Sequence, residues 1–180
     1  MIPNCIPANF MILSGSNGSG KSTFMRTAAI NTLLAHCGMC CFGQKFQTPI
    51  RDSICMRFGS KDSLKNGISS FEYEMSHITQ ISKRVTSNSA VFIDELGCSC
   101  DSESGKRVAS HFIQILSRIG CFTVFSTHFT FDGPHQYEMA MDSAHYLYKV
   151  QSHGINKHAN RGAFLVAEKC GIPSSILYLA

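Results

Sequence analysis

An apolar run, Phe10-Met11-Ile12-Leu13, leads into Gly15-Ser16-Asn17-Gly18-Ser19-Gly20-Lys21-Ser22. A buried strand that ends in Gly-x4-Gly-Lys-Ser and hands over to a helix leaves the chain few choices. Gly15, Gly18 and Gly20 allow a sharp turn whose amide groups point inward without Cβ clashes. The helix that begins near Lys21 adds the positive end of its dipole. Such a loop holds phosphate oxygens on Gly15 to Thr23. Lys21 reaches the β- and γ-phosphates, and the Ser22 hydroxyl is a magnesium ligand. The alternative is a glycine-rich turn with an exposed lysine.

The rest of the chain supplies a fold to carry that loop. Apolar runs alternate with segments of helical period, the pattern of an α/β domain with a largely parallel sheet. Strands are predicted at Phe10–Leu13, Ile54–Phe58, Ala90–Ile93, Cys121–Ser126 and Ala144–Val150. Helices are predicted at Lys21–Cys37, Ser70–Val85, Gly105–Ile119 and Gly162–Lys169. The second helix repeats Phe71, Met75, Ile78, Ile81 and Val85 on one face. The third repeats Val108, Phe112, Ile115, Leu116 and Ile119, and both stripes read as core. Gly38 suits the stop of the first helix. Residues 151–161 read as a surface loop.

Three further segments carry chemistry. Ala90-Val91-Phe92-Ile93-Asp94-Glu95 is a hydrophobic strand ending in two acids, which places carboxylates at the carboxyl edge of the sheet. There Asp94 would hold magnesium, and Glu95 would polarise an attacking water. Phe125-Ser126-Thr127-His128 is a second strand with a polar end. His128 is either a γ-phosphate contact or an exposed loop histidine. Ser69-Ser70-Phe71-Glu72-Tyr73-Glu74-Met75 opens the second helix with Ser70 as an acceptable N-cap, and from local physics the cap reading wins. An exposed helix N-terminus would also suit a phosphate held by another molecule.

Composition sets limits. The 44% hydrophobic content of 180 residues suits one domain with a proper core. No apolar stretch approaches the roughly 20 residues of a membrane span. The N-terminus has no basic residue before its short apolar run, so it does not read as a signal peptide. Nine cysteines are then expected as free thiols in a reducing compartment. Cys37-x2-Cys40 has no second CxxC to complete a zinc site. The net charge of +4 permits contact with nucleic acid without arguing for it.

Taken in order, the loop, Ser-Ser-Phe-x-x-Glu-Met, Asp-Glu-Leu-Gly and Thr-His-Phe resemble the ATPase domain of the MutS family of DNA mismatch-repair proteins. The similarity runs over nearly the whole chain. It includes His36-Cys37-Gly38-Met39-Cys40, and Met56-Arg57-Phe58-Gly59, which matches the family's Arg-containing strand. Gly162 to Pro173 is similar to the first helix and turn of the family's C-terminal helix-turn-helix. The resemblance implies a P-loop NTPase fold with an ABC-like, mostly parallel sheet flanked by helices. It divides the chain into an ATPase domain, 1–160, and the start of a helix-turn-helix, 161–180. It implies ATP and Mg2+ as ligands, and a composite site in a homo- or heterodimer. Gly15, Ser16, Asn17, Gly18, Ser19, Gly20, Lys21, Ser22 and Thr23 would serve the chain's own nucleotide, with Asp94, Glu95 and His128. Tyr148 would lie against the adenine. Ser69 and Ser70 would reach the γ-phosphate bound by the partner. Double-stranded DNA, mismatched or branched, would be held by domains upstream, and the ATP cycle would switch their conformation. The expected location is intracellular, the nucleus in a eukaryote and otherwise the cytoplasm.

The sequence departs from the family where Asp-Glu-x-Gly-Arg-Gly-Thr becomes Asp94-Glu95-Leu96-Gly97-Cys98-Ser99-Cys100. That change alters the loop that would face the partner and leaves open a non-catalytic ATP-binding or dimerisation module. Leu96 is shared with the meiotic branch of the family. An ABC/SMC-type ATPase is the other enzyme reading, but no Leu-Ser-Gly-Gly signature precedes the Asp-Glu strand.

Overall fold

The computed structural model describes residues 9–59, 70–129, 131, 136–141, 146–152 and 170. Along the chain these form β1 (Phe10–Ser14), α1 (Lys21–His36), β2 (Ile54–Arg57), α2 (Ser70–Arg84), β3 (Ala90–Asp94), α3 (Ser102–Ile119), β4 (Phe122–Thr127), β5 (Gln136–Met141) and β6 (Tyr146–Ser152). The strands make one mixed sheet in the order β2-β3-β4-β1-β5-β6. Five run parallel, and β6 returns antiparallel on β5 at the edge. The α/β expectation and the predominance of parallel pairing hold.

Alternation along the strands sorts the core into two layers. Val91 and Ile93 of β3 join Phe10, Ile12 and Phe125 beneath α2 and α3, where Ile78, Ile81, Phe112, Ile113 and Leu116 meet them. Ala90 and Phe92 join Leu13 and Val124 on the other face, against Met25 and Ala29 of α1. Each fully buried Phe or Leu contributes about 1.5–3 kcal/mol from loss of water contact. The sheet is therefore buried on both faces, as its parallel part demands.

Helix ends explain several boundaries. Gly38 takes φ +67° after α1. Its amide donates to the Ala35 carbonyl at 3.2 Å and that of Met39 to Leu34 at 2.9 Å. This is the glycine closure expected from sequence. The start of α3 lies three residues before the predicted Gly105, because the Asp101 side chain caps it by accepting from the Ser104 amide at 2.9 Å. Ser70 is the first helical residue of α2 and not its cap; Ser69 lies outside the described residues.

The α3 stripe needs one correction. Ile115 is 43% exposed, while Ile113 is fully buried. Phe112, Leu116 and Ala109 aim the helix so that Ile113 falls inside the apolar arc and Ile115 outside it. β5 was not expected at all. The predicted helix at Gly162–Lys169 and the helix-turn-helix lie outside the described residues, apart from Cys170. Among the described residues no helix is long and apolar enough to cross a membrane.

Candidate functional site

The order of the sheet reverses at β1. The chain leaves β1 for the far edge at β2, steps back through β3 and β4, then crosses to β5. Open α/β sheets bind ligands beyond the carboxyl ends of their strands at such a reversal. The Gly15–Gly20 loop leaves β1 at that point.

Three glycines make the loop: Gly15 at φ +146°, Gly18 at +80° and Gly20 at +96°. At Gly20 a Cβ would stand 3.1 Å from the Tyr148 ring. Gly20 also begins α1 without any side-chain cap. The first-turn amides of α1 therefore lack the usual hydroxyl or carboxylate partner, which leaves their partial positive charge facing the loop. Ser19 Oγ is buried and has no hydrogen-bond partner among the described residues.

Lys21 lies inside this loop at 3% exposure. Its ammonium donates to the Gly15 carbonyl at 2.7 Å and the Ser16 carbonyl at 3.1 Å. Glu95 Oε1 stands 3.5 Å from it. A buried cation held by loop carbonyls and one carboxylate is not the exposed lysine of an ordinary turn. A cleft of about 620 Å³ opens here, lined by Asn17, Gly18, Lys21, Ser22, Thr23 and Glu95, with Met139 and Tyr148 among its walls.

Asp94 and His128 do not line that cleft. Asp94 is 5% exposed at the end of β3 and accepts a short hydrogen bond from Ser126 Oγ. His128 is exposed, its ring packs on Phe129 at 4.2 Å, and its Nδ1 lies 3.6 Å from Cys98 Sγ. Glu95 adopts φ +49°, the left-handed region that a glutamate rarely takes. Its amide donates to the Ser126 carbonyl at 3.2 Å, and this turns the side chain back toward Lys21. Ser70 is exposed at the N-terminus of α2.

Glu74 is the residue whose place the sequence concealed. It stands in the first turns of α2, where an acid reads as a helix-dipole partner, yet it is 2% exposed. Arg57 Nη2 pairs with its Oε1 at 2.8 Å. The Gly97 amide donates to Oε1 at 2.9 Å, and Ser99 Oγ donates to Oε2 in a short bond. The i, i+4 relation of Glu74 to the core residue Ile78 was the available signal.

The altered segment Cys98-Ser99-Cys100 is thus anchored through Ser99. Partial burial of the thiol, then the charges of Glu95 and Glu74, push Cys98 up to about 11. Burial and Asp101 raise Cys100 as well. Both are neutral thiols at physiological pH. The described cysteines are all free, and Cys37 and Cys40 are exposed. Among the described residues no three His, Cys, Asp or Glu side chains converge.

An α/β domain with a lysine-centred cleft at the carboxyl edge of its parallel strands is the class these features define. A family model for MutS domain V matches residues 11–180. The chain belongs to the MutS family. It is similar to the DNA mismatch repair protein MutS of Halothermothrix orenii, 32% identical over 95% of this chain and 20% of that protein. It is 35% identical to that of Streptococcus thermophilus over 71% of this chain and 16% of the relative. For Thermotoga maritima the figures are 36%, 67% and 15%. The chain spans about a fifth or less of the length of these relatives.

Proposed function

We propose that this chain is a P-loop ATPase domain of a DNA mismatch-repair protein, which binds ATP in the Lys21 cleft and hydrolyses it in a site completed by a second MutS-like subunit. The observation that carries this reading is the buried Lys21 ammonium, fixed by Gly15 and Ser16 carbonyls within 3.5 Å of Glu95. The Ser19 hydroxyl, without a hydrogen-bond partner among the described residues, and the uncapped start of α1 fit a triphosphate. Tyr148, 68% exposed and set against Gly20, fits an adenine ring.

The residues divide the work. Loop amides from Gly15 to Thr23 and Lys21 bind and neutralise the phosphates. Glu95 orients the attacking water and takes its proton, so that charge builds where Lys21 and the α1 dipole stabilise it. Ser22 and Asp94 would hold magnesium, which would supply further neutralisation of phosphate charge when bound. His128, which follows β4, serves as a γ-phosphate contact. Ser70, with Ser69, serves the nucleotide of the partner. DNA, mismatched or branched, is engaged by other parts of a longer protein, and the ATP cycle switches their conformation. That the relatives from Halothermothrix orenii and Streptococcus thermophilus are DNA mismatch repair proteins supports the repair role. Leu96 does not argue for the meiotic branch, because it is a fully buried core residue that packing accounts for.

The test is hydrolysis of radiolabelled ATP by the chain alone and with a candidate partner subunit. Turnover that requires magnesium and rises with the partner is the expected result. Binding without turnover in either arm would leave the chain a non-catalytic ATP-binding module and overturn the enzymatic part.

A further inference from the structure

The left-handed Glu95 needs something to hold it, since a non-glycine residue keeps that conformation only where its surroundings impose it. Three backbone groups around it are fixed. The Asp94 carbonyl accepts from Arg57 Nη1 at 2.9 Å. The Glu95 amide is bound to the Ser126 carbonyl. The Gly97 amide donates to Glu74 Oε1. The first and third of these anchors belong to one ion pair, because Arg57 Nη2 and Glu74 Oε1 are themselves 2.8 Å apart.

We propose that Arg57 and Glu74 are a positioning pair that clamps the 94–97 turn from both sides and so aims the Glu95 carboxylate into the Lys21 cleft. This rests on the reading of Glu95 as the group that activates water. The pair is nearly dry, at 12% and 2% exposure. Burying two charges is costly, and a plain structural contact here would be served as well by apolar side chains. What an apolar pair could not do is grip a carbonyl with one end and an amide with the other. The planar guanidinium spans both Asp94 and Glu74, which a lysine ammonium cannot do with the same geometry. Ser99 adds a fourth hold by donating to the second oxygen of Glu74. The pair also joins the turn to α2, whose first residue is Ser70, so a shift of that helix would be felt at Glu95.

The experiment compares Arg57→Lys, Glu74→Gln and the milder Ser99→Ala with the parent 180-residue chain, assayed with its partner subunit where turnover needs one. Displacing a reacting group by about 1 Å costs on the order of 100-fold in rate. Arg57→Lys is expected to lose about 10- to 100-fold in kcat while ATP affinity changes less than about threefold. Ser99→Ala is expected to lose a few-fold in kcat, again at unchanged affinity. Amide exchange of Glu95 and Gly97, measured without added nucleotide, should accelerate in all three variants while the amides of β1 keep their protection. Parental kcat in folded variants, or a loss of ATP affinity in step with the rate, would overturn the proposal. If the parent does not turn over ATP, the ATPase reading fails, and the exchange arm still decides the clamp: unaltered Glu95 and Gly97 exchange refutes it.

Discussion

Lys21 Nζ lies 3.5 Å from Glu95 Oε1, so the loop after β1 and the turn after β3 meet across β4 through one ion pair. The two residues are 74 positions apart in the sequence, yet in space they share a cleft wall. Phosphate oxygens entering the cleft would compete with Glu95 for the ammonium. Binding would then draw Lys21 onto the phosphates and release the carboxylate to hold a water. On the proposed reading, the pair would link nucleotide arrival to the readiness of Glu95 as base.

Lys21→Ala should therefore abolish ATP binding and not merely slow turnover. Among the described residues the ammonium is the only positive side chain in the cleft wall, and a charge-assisted contact to phosphate is among the stronger polar interactions. Equilibrium binding of a fluorescent ATP analogue checks this. Retained affinity would place the phosphates elsewhere.

Gly97 and Gly105 pack backbone to backbone. A Cβ at Gly97 would stand 2.5 Å from the Gly105 carbonyl oxygen, and Gly97 already sits at φ +87°. Gly97→Ala adds steric overlap to an unfavourable dihedral and should cost about 2–4 kcal/mol of stability. Gly105→Ala is expected to destabilise too, despite the better helix propensity of alanine, because its Cβ would press on the Gly97 carbonyl. Urea denaturation of each variant measures the loss, and a parental midpoint for Gly97→Ala would contradict the packing.

Cys98 offers a pH test. Its thiol is raised from 9.0 to about 11 in the folded chain. At pH 8 the thiolate fraction is then ~100-fold below that of the unfolded chain, partly offset by greater nucleophilicity, for a net slowing of about tenfold. Alkylation of Cys98, followed by peptide mapping, should show that ratio between native and urea-unfolded chain. The sign for stability follows from the same shift. The folded chain keeps a proton that the unfolded chain releases above 9.0, so this contribution is full below that pH and is lost as pH rises toward about 11. Cys98→Ser should flatten that decline; identical pH profiles would contradict it.

The serines at the head of α2 test the shared site. A Ser69→Ala, Ser70→Ala chain should bind ATP normally and fail to support hydrolysis in its partner. Paired with a Lys21→Ala chain it should retain one site at most, near half the activity of the parent dimer. Loss of turnover in chains that stay monomeric would assign the serines to their own site.

How much of this was legible in the sequence depended on whether signals were local. Phe10–Leu13, Ala90–Ile93 and the phosphate-loop spacing are local patterns, and they lead to the right strands and the right edge of the sheet. β5 escaped because Gln136-Tyr137-Glu138 opens it with polar residues. Glu138 is nonetheless buried at 3%, with Gln151 of β6 donating to it at 3.1 Å. Glu74 escaped because its partners are distant in the chain. Its burial depends on Arg57 and on the Gly97 turn, partners 17 and 23 positions away that no periodicity connects. Tyr148 was placed by family resemblance, and its approach to Gly20 becomes visible only once β6 folds back on β5.

The most direct measurement is single-turnover hydrolysis by Glu95→Gln beside the parent, with ATP binding measured on the same samples. The substitution keeps the shape of the side chain and removes the base. The account predicts that binding survives while hydrolysis falls by roughly 10²–10⁴-fold, the range of a positioned general base. Turnover equal to the parent, with binding intact, would contradict the assignment of this cleft as the site of hydrolysis by Glu95.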